Sequence, residues 1–206
     1  MIIEACVEDV REAVLAEKNG ANRLELCSHL EVDGLTPDIS IVKEVLAEVT
    51  IPVKVMIRPR QSHFRYTPKE LIKMSASVCV MKDLGVYGIV FGALSYHNTV
   101  DFENTATLAE LAKPLNVTFH KAIDFTIDPI DSAKVLSNIK SIDAILTSGG
   151  RLTASDGIDN INKMINSVDE KLEIIAAGKV TKDNLSDLQS KIHTQSFHGR
   201  AIVPIK

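Results

Sequence analysis

The stretches Ile2-Ile3-Glu4-Ala5-Cys6 and Leu24-Glu25-Leu26-Cys27 are two short apolar runs with one ending in common, Glu-x-Cys. Short apolar runs bounded by turn residues read as β-strands, in which residues i and i+2 face the same side. Glu4 and Cys6 therefore share a face, and so do Glu25 and Cys27. Between the two runs, Val10, Ala13, Val14 and Ala16 fall near helical spacing and Gly20 stops the helix. Strand, helix and strand in that order suit parallel neighbours. Two carboxylates and two thiols would then be stacked at the C-terminal ends of adjacent strands.

The same alternation continues to the end of the chain. Thr36-Pro37 reads as an N-cap followed by proline at the first helical position, and Ile39, Val42, Val45, Leu46 and Val49 give that helix its buried stripe. Residues 53–57 form a third strand, ended by Arg58-Pro59-Arg60. Thr67-Pro68-Lys69-Glu70 is a capping box for a helix that closes on Gly85 and carries Cys79 as a core residue. Further strands are expected at 87–91, 115–120, 143–147, 172–176 and 193–197, each bounded by glycine, proline or polar residues. Helices separate them, one of them opened by Asp128-Pro129 and another by Thr181. Eight strands with seven helices point to an α/β fold of the (β/α)8 TIM-like barrel type, one domain over residues 1–206. Little chain remains after Gly199, so the last helix is expected to be short or missing.

Composition sets outer limits. With 206 residues, 45% hydrophobic and 24% charged, the chain is an ordinary globular domain, and its core is aliphatic because aromatic residues are 4% and Trp is absent. A net charge of −4 argues against nucleic acid as a partner. No apolar run is long enough to span a membrane, and the N-terminus lacks the regions of a signal peptide, so a cytoplasmic protein is expected. Three cysteines are an odd number and do not make a disulfide framework; free or metal-bound thiols fit better.

In such barrels the active site lies at the C-terminal ends of the strands. This chain places Cys6, Cys27, Arg58, Arg60, Gly92, His120, Asp124, Ser148, Gly149, Gly178 and Gly199 there, with Glu4 and Glu25 one layer below. Buried carboxylates need partners, and Arg58 and His120 are the candidates. Glu4, Glu25 and His120 form either a structural ion-pair network or the acid/base groups of a catalyst. Cys6 and Cys27 are either small buried hydrophobes or soft ligands suited to Cu(I). Arg58 and Arg60 with Ser148, Gly149, Gly178 and Gly199 suggest an anion site, the glycines letting backbone amides approach a phosphate, or else simple tight turns. The remaining histidines read as surface or loop residues, although His198 lies near the rim.

Several blocks together resemble the CutC family, named for copper homeostasis. They are Glu4-Ala5-Cys6, Gly20-Ala21-Asn22-Arg23-Leu24-Glu25-Leu26-Cys27, Gly34-Leu35-Thr36-Pro37, Met56-Ile57-Arg58-Pro59-Arg60, Val117-Thr118-Phe119-His120-Lys121-Ala122 with Asp124, and Leu146-Thr147-Ser148-Gly149-Gly150. The resemblance implies a (β/α)8-like barrel and a cytoplasmic copper-homeostasis or copper-binding protein whose copper ligands are Cys6 and Cys27. It departs from longer members by ending soon after strand eight.

Two functions follow as expectations. The first is a protein that binds copper ion, as Cu(I), through Cys6 and Cys27 at the barrel mouth. The second is a barrel enzyme acting on a small, phosphorylated, anionic metabolite with Glu4, Glu25 and His120. A third reading is a partner-binding barrel that forms a homo-oligomer through the surface left open after strand eight.

Overall fold

The computed structural model describes residues 1–205. Its eight strands are β1 (Ile2–Val7), β2 (Arg23–Leu26), β3 (Val53–Met56), β4 (Gly88–Phe91), β5 (Asn116–Phe119), β6 (Ala144–Thr147), β7 (Glu173–Ala176) and β8 (Ser196–Gly199). All neighbours are parallel, and β1 pairs with β8 through Ile2 opposite Ser196 and Ala5 opposite Gly199, which closes the barrel. Seven helices cross between them: α1 (Val10–Lys18), α2 (Ile39–Glu48), α3 (Pro68–Asp83), α4 (Phe102–Ala112), α5 (Pro129–Ser137), α6 (Ile158–Ser167) and α7 (Leu185–Lys191). The expected architecture is the one observed.

Residue parity sorts the side chains into two sets. Ala5, Val7, Leu24, Leu26, Val53, Val55, Ile89 and Phe91 point outward into the continuous core under the helices. The other parity points into the barrel, where two smaller apolar clusters form, Cys6 with Cys27, Met56 and Val90, and Ala144 with Leu146, Ile175 and Ala177. Charged residues of the same inward parity lie among them, with Glu4, Glu25 and Lys54 each at most 2% exposed.

Local signals set the helix ends. Thr67 accepts from the Glu70 amide while Glu70 reaches back to the Thr67 amide, so the capping box is complete. Asp128 accepts from the amides of Ile130 and Asp131 and starts α5. The expectation at Thr36-Pro37 fails: α2 starts at Ile39, because the Thr36 hydroxyl accepts from the Arg58 amide at 2.8 Å and ties the loop to the end of β3. At Thr181 the helix likewise starts later, at Leu185. Cys79 is exposed on α3, not part of the core.

After β8 the described chain forms no eighth helix. Ile202, Val203 and Ile205 are buried without it, and the Asn19 side chain donates to the Pro204 carbonyl at 2.7 Å. The terminal segment thus lies beside the end of α1 and adds these three side chains to the continuous core.

Candidate functional site

A cavity of about 360 Å3 opens at the C-terminal end of the barrel. Its strand-borne floor is Cys6, Cys27, Glu25, Met56 and His198, and the loops above add Arg58, Phe64, His120 and Phe125. The register explains the floor. Cys6 lies opposite Glu25, and Cys27 extends β2 one inward position further up. The two sulfurs are 3.9 Å apart and both cysteines are free. Cys27 Sγ is 3.4 Å from Glu25 Oε1. Cys6, Cys27 and Glu25 thus offer three ligand atoms within 4.8 Å of one another, and Glu4, Glu25 and His198 form a second such group.

Beneath the thiols runs a column of buried charge. At its base Glu173 receives two hydrogen bonds from the Arg23 guanidinium, at 3.0 and 3.1 Å. Arg23 Nε donates to Glu4, and Lys54 Nζ lies 3.9 Å from the same carboxylate while donating to the Thr118 hydroxyl at 2.7 Å. His198 Nδ1 is 2.9 Å from Glu4 Oε1. Burial alone would raise the Glu4 carboxyl, but the hydrogen bond with His198 and the charges of Lys54 and Arg23 outweigh it and hold it at about 2. Glu4 is therefore an anion, and the His198 Nδ1 proton is donated to it.

These contacts set the thiols. Burial disfavours a charged His198, yet Glu25, Cys6 and Glu4 outweigh it and raise the imidazole well above its ordinary value. The hydrogen bond with Cys27 draws Cys6 down to about 6 despite burial, with His198 adding to the pull. The same bond to Cys6, with burial, pushes Cys27 well up. The pair is therefore unequal, with the thiolate favoured at Cys6 and the thiol at Cys27. Burial raises Glu25 to about 8 against the pull of His198. Its Oε2 has no hydrogen-bond partner, although His198 Nδ1 is only 3.3 Å away, because that proton is directed at Glu4.

The expected partners of the carboxylates are corrected here. Arg58 and His120 do not pair with Glu4 or Glu25. Arg58 instead donates to the carbonyls of Val32, Asp33, Gly34 and Ser62 and holds the loop after β2, leaving its Nε unpartnered and buried. His120 is pushed down to about 3 by burial and by Arg58, so its ring is neutral. Its Nδ1 accepts from the Ala122 amide at 3.2 Å, which puts the proton on Nε2, and Nε2 is buried without a partner. Gly92 makes room for this ring, since a Cβ there would lie 2.5 Å from His120 Nδ1.

The other rim residues separate. Gly178 and Gly199 line the cavity, and a Cβ on Gly199 would lie 2.1 Å from the Val180 carbonyl oxygen, so this glycine allows two loops to touch. Arg60 is outside, paired with Glu70 and stacked over Tyr66. Ser148 and Gly149 are also outside the lining. The loop amides there have an internal anion, because Asp124 accepts from the Ser148 and Gly150 amides at 3.0 and 2.8 Å and pairs with Lys121 at 2.6 Å. Sequence reasoning missed Arg23, Lys54 and the inward role of His198. Strand parity was the available signal, since Arg23 is two residues before Glu25 and Lys54 sits between two outward valines.

Comparison with known proteins supplies the remaining findings. The sequence model of the CutC family matches residues 1–203. The human copper homeostasis protein cutC homolog is 36% identical over 200 residues, covering 97% of this chain and 73% of the human one. A family protein CutC from Mesorhizobium japonicum is 35% identical over 201 residues, covering 98% and 78%. A crystal structure of a CutC protein from Streptococcus agalactiae superposes with a TM-score of 0.92 at 28% identity, covering 98% of this chain and 100% of the other.

Proposed function

The chain belongs to the CutC family, and from that premise we propose that it serves copper homeostasis by binding Cu(I) through Cys6 and Cys27 at the barrel mouth. The observation that carries the reading is the sulfur pair itself: two free, buried sulfurs 3.9 Å apart on the floor of a cavity. Soft thiolate ligands select monovalent copper over harder ions. Cys6, drawn down to about 6, supplies a thiolate at neutral pH without help from the metal. The Met56 thioether packs in the same cluster, so the surroundings are soft and apolar. The ion is cargo that is taken up and handed on, and two unpaired cysteines side by side suit a reducing compartment such as the cytoplasm.

The test is an anaerobic Cu(I) titration of the reduced protein against a competing chelator, beside Cys6→Ser and Cys27→Ser. One tight equivalent is expected, weakened by a factor of a hundred or more in each variant. Undiminished stoichiometric binding in the double variant overturns the assignment.

A further inference from the structure

The spacing of the two sulfurs says more than that they bind a metal. For a metal–sulfur bond of about 2.3 Å, a linear two-coordinate ion needs sulfurs about 4.6 Å apart. The observed 3.9 Å corresponds, at the same bond length, to an angle of about 116° at the metal. That is close to the 120° of a trigonal ion, so the pair leaves one position of the coordination plane open. Among the described His, Cys, Asp and Glu side chains the third buried atom within reach is an oxygen of Glu25, a hard donor and a poor match for Cu(I), and the one soft neighbour, the Met56 thioether, is uncharged. The open side faces a cavity of about 360 Å3, far larger than one ion needs.

The walls of that cavity describe what fills it. Arg58, Lys121, Lys179 and Arg200 line it against Glu25 and Asp33. Lys121 is already paired with Asp124, and Arg200 with Glu8 and Glu12. For an incoming anion this leaves Lys179, exposed at the mouth, and two residues of the lining, Arg58 and His120, whose Nε and Nε2 atoms are buried without partners. Above the floor the lining includes carbon surface from Leu30, Phe64 and Phe125.

We propose that the cavity takes Cu(I) as its complex with an anionic low-molecular-mass thiol, whose sulfur becomes the third ligand beside Cys6 and Cys27 and whose carboxylates rest on Lys179, Arg58 and His120. The inference rests on the copper reading above and adds the form in which copper arrives. The step is a ligand exchange without change of oxidation state. Starting from a bis-thiolate complex, two bonds form from Cu(I) to the protein sulfurs and one bond to a carrier sulfur breaks. The displaced carrier thiolate takes up a proton from the protein thiols and leaves as a free thiol, any second proton on the protein sulfurs passes to solvent, and the second carrier thiolate stays bound.

The experiment is native mass spectrometry of the Cu(I)-loaded protein with glutathione, joined to copper K-edge absorption of the same samples. One copper and one glutathione per chain, with three sulfurs around the metal, are expected. S-methylglutathione, which keeps the carboxylates but has no thiol, and 2-mercaptoethanol, which keeps the thiol but has no charge, are expected to be retained at least tenfold less. Lys179→Glu should lower glutathione retention several-fold. Copper bound without glutathione, with Met56 sulfur or Glu25 oxygen as third neighbour, overturns this inference and leaves the copper reading standing. Equal retention of 2-mercaptoethanol overturns the anionic requirement. Failure to bind copper under any of these conditions overturns both.

Discussion

Glu4→Gln tests the buried charge column directly. Glu4 is 1% exposed and is approached by Arg23, by Lys54 at 3.9 Å and by His198 at 2.9 Å. Its carboxyl is held at about 2 against an ordinary 4.5, and at about 1.4 kcal/mol per tenfold the difference is worth about 3 kcal/mol. Glutamine keeps the volume, so no cavity opens, but it takes the shared anion from three basic groups, leaving Arg23 with Glu173 and His198 with Glu25 and Cys6. Removing one partner of a buried ion pair costs about 3–5 kcal/mol, which agrees with the figure from the carboxyl. Urea unfolding at pH 7 should therefore show a loss of about 3 kcal/mol at an unchanged slope. The pH dependence has a fixed sign. The folded value lies below the unfolded one, so the unfolded chain binds the extra proton and stability rises with pH across that interval. The wild-type advantage is fully present above pH 4.5 and fades as pH falls towards 2. A loss below about 1 kcal/mol at pH 7, or a difference between the two proteins that does not shrink on acidification, refutes the reasoning.

Two further outcomes follow from the same contacts. Alkylation of Cys6 by iodoacetamide, followed by peptide mass analysis with exposed Cys79 as internal reference, should reach half its maximal rate near pH 6 and shift upward in His198→Asn, because the thiolate loses the imidazolium; an unmoved profile contradicts the role given to His198. Asp124→Asn should cost about 2–3 kcal/mol in urea unfolding, since the loop amides of Ser148 and Gly150 and the Lys121 ammonium lose an ionised acceptor; a cost under 0.5 kcal/mol would show that the loop needs no internal anion.

How much of this was legible in the sequence depends on the range of the interaction. The strands and helices were legible because period-two and helical spacing are local, as the Thr67–Glu70 capping box shows. The shared face of Glu4 with Cys6, and of Glu25 with Cys27, was legible for the same reason. The meeting of Cys6 with Cys27 depends on register, which a parallel crossover does not fix locally. The partners of Glu4 were hidden further still. His198 reaches it across 194 positions, through the closure of β8 on β1. Arg23 and Lys54 were passed over because such residues are ordinarily solvent-exposed, and only a paired, hydrogen-bonded interior overturns that expectation. At Thr36 a capping signal was present but was used for a contact to Arg58 that no local pattern announces.

The interior of this barrel is divided by height, and the division bears on what the site can do. Barrels of this type commonly fill the interior with layers of branched apolar side chains. Here the lower part is ionic, running from Glu173 through Arg23 and Glu4 to His198, and the upper part is a cavity. The column fixes the Nδ1 proton of His198 on Glu4, which leaves the other edge of the ring for Cys6. The two sulfurs are consequently unequal before any metal arrives. Cys6 is drawn towards the anion and Cys27 is pushed towards the neutral thiol, so a monovalent cation bound as proposed above would meet Cys6 first and displace the proton of Cys27. Under the copper reading proposed above, such a site would exchange one positive charge for another at nearly constant net charge. Burial penalises any change in net charge, so this equivalence would let a cation enter and leave a buried pair of sulfurs without disturbing the column beneath.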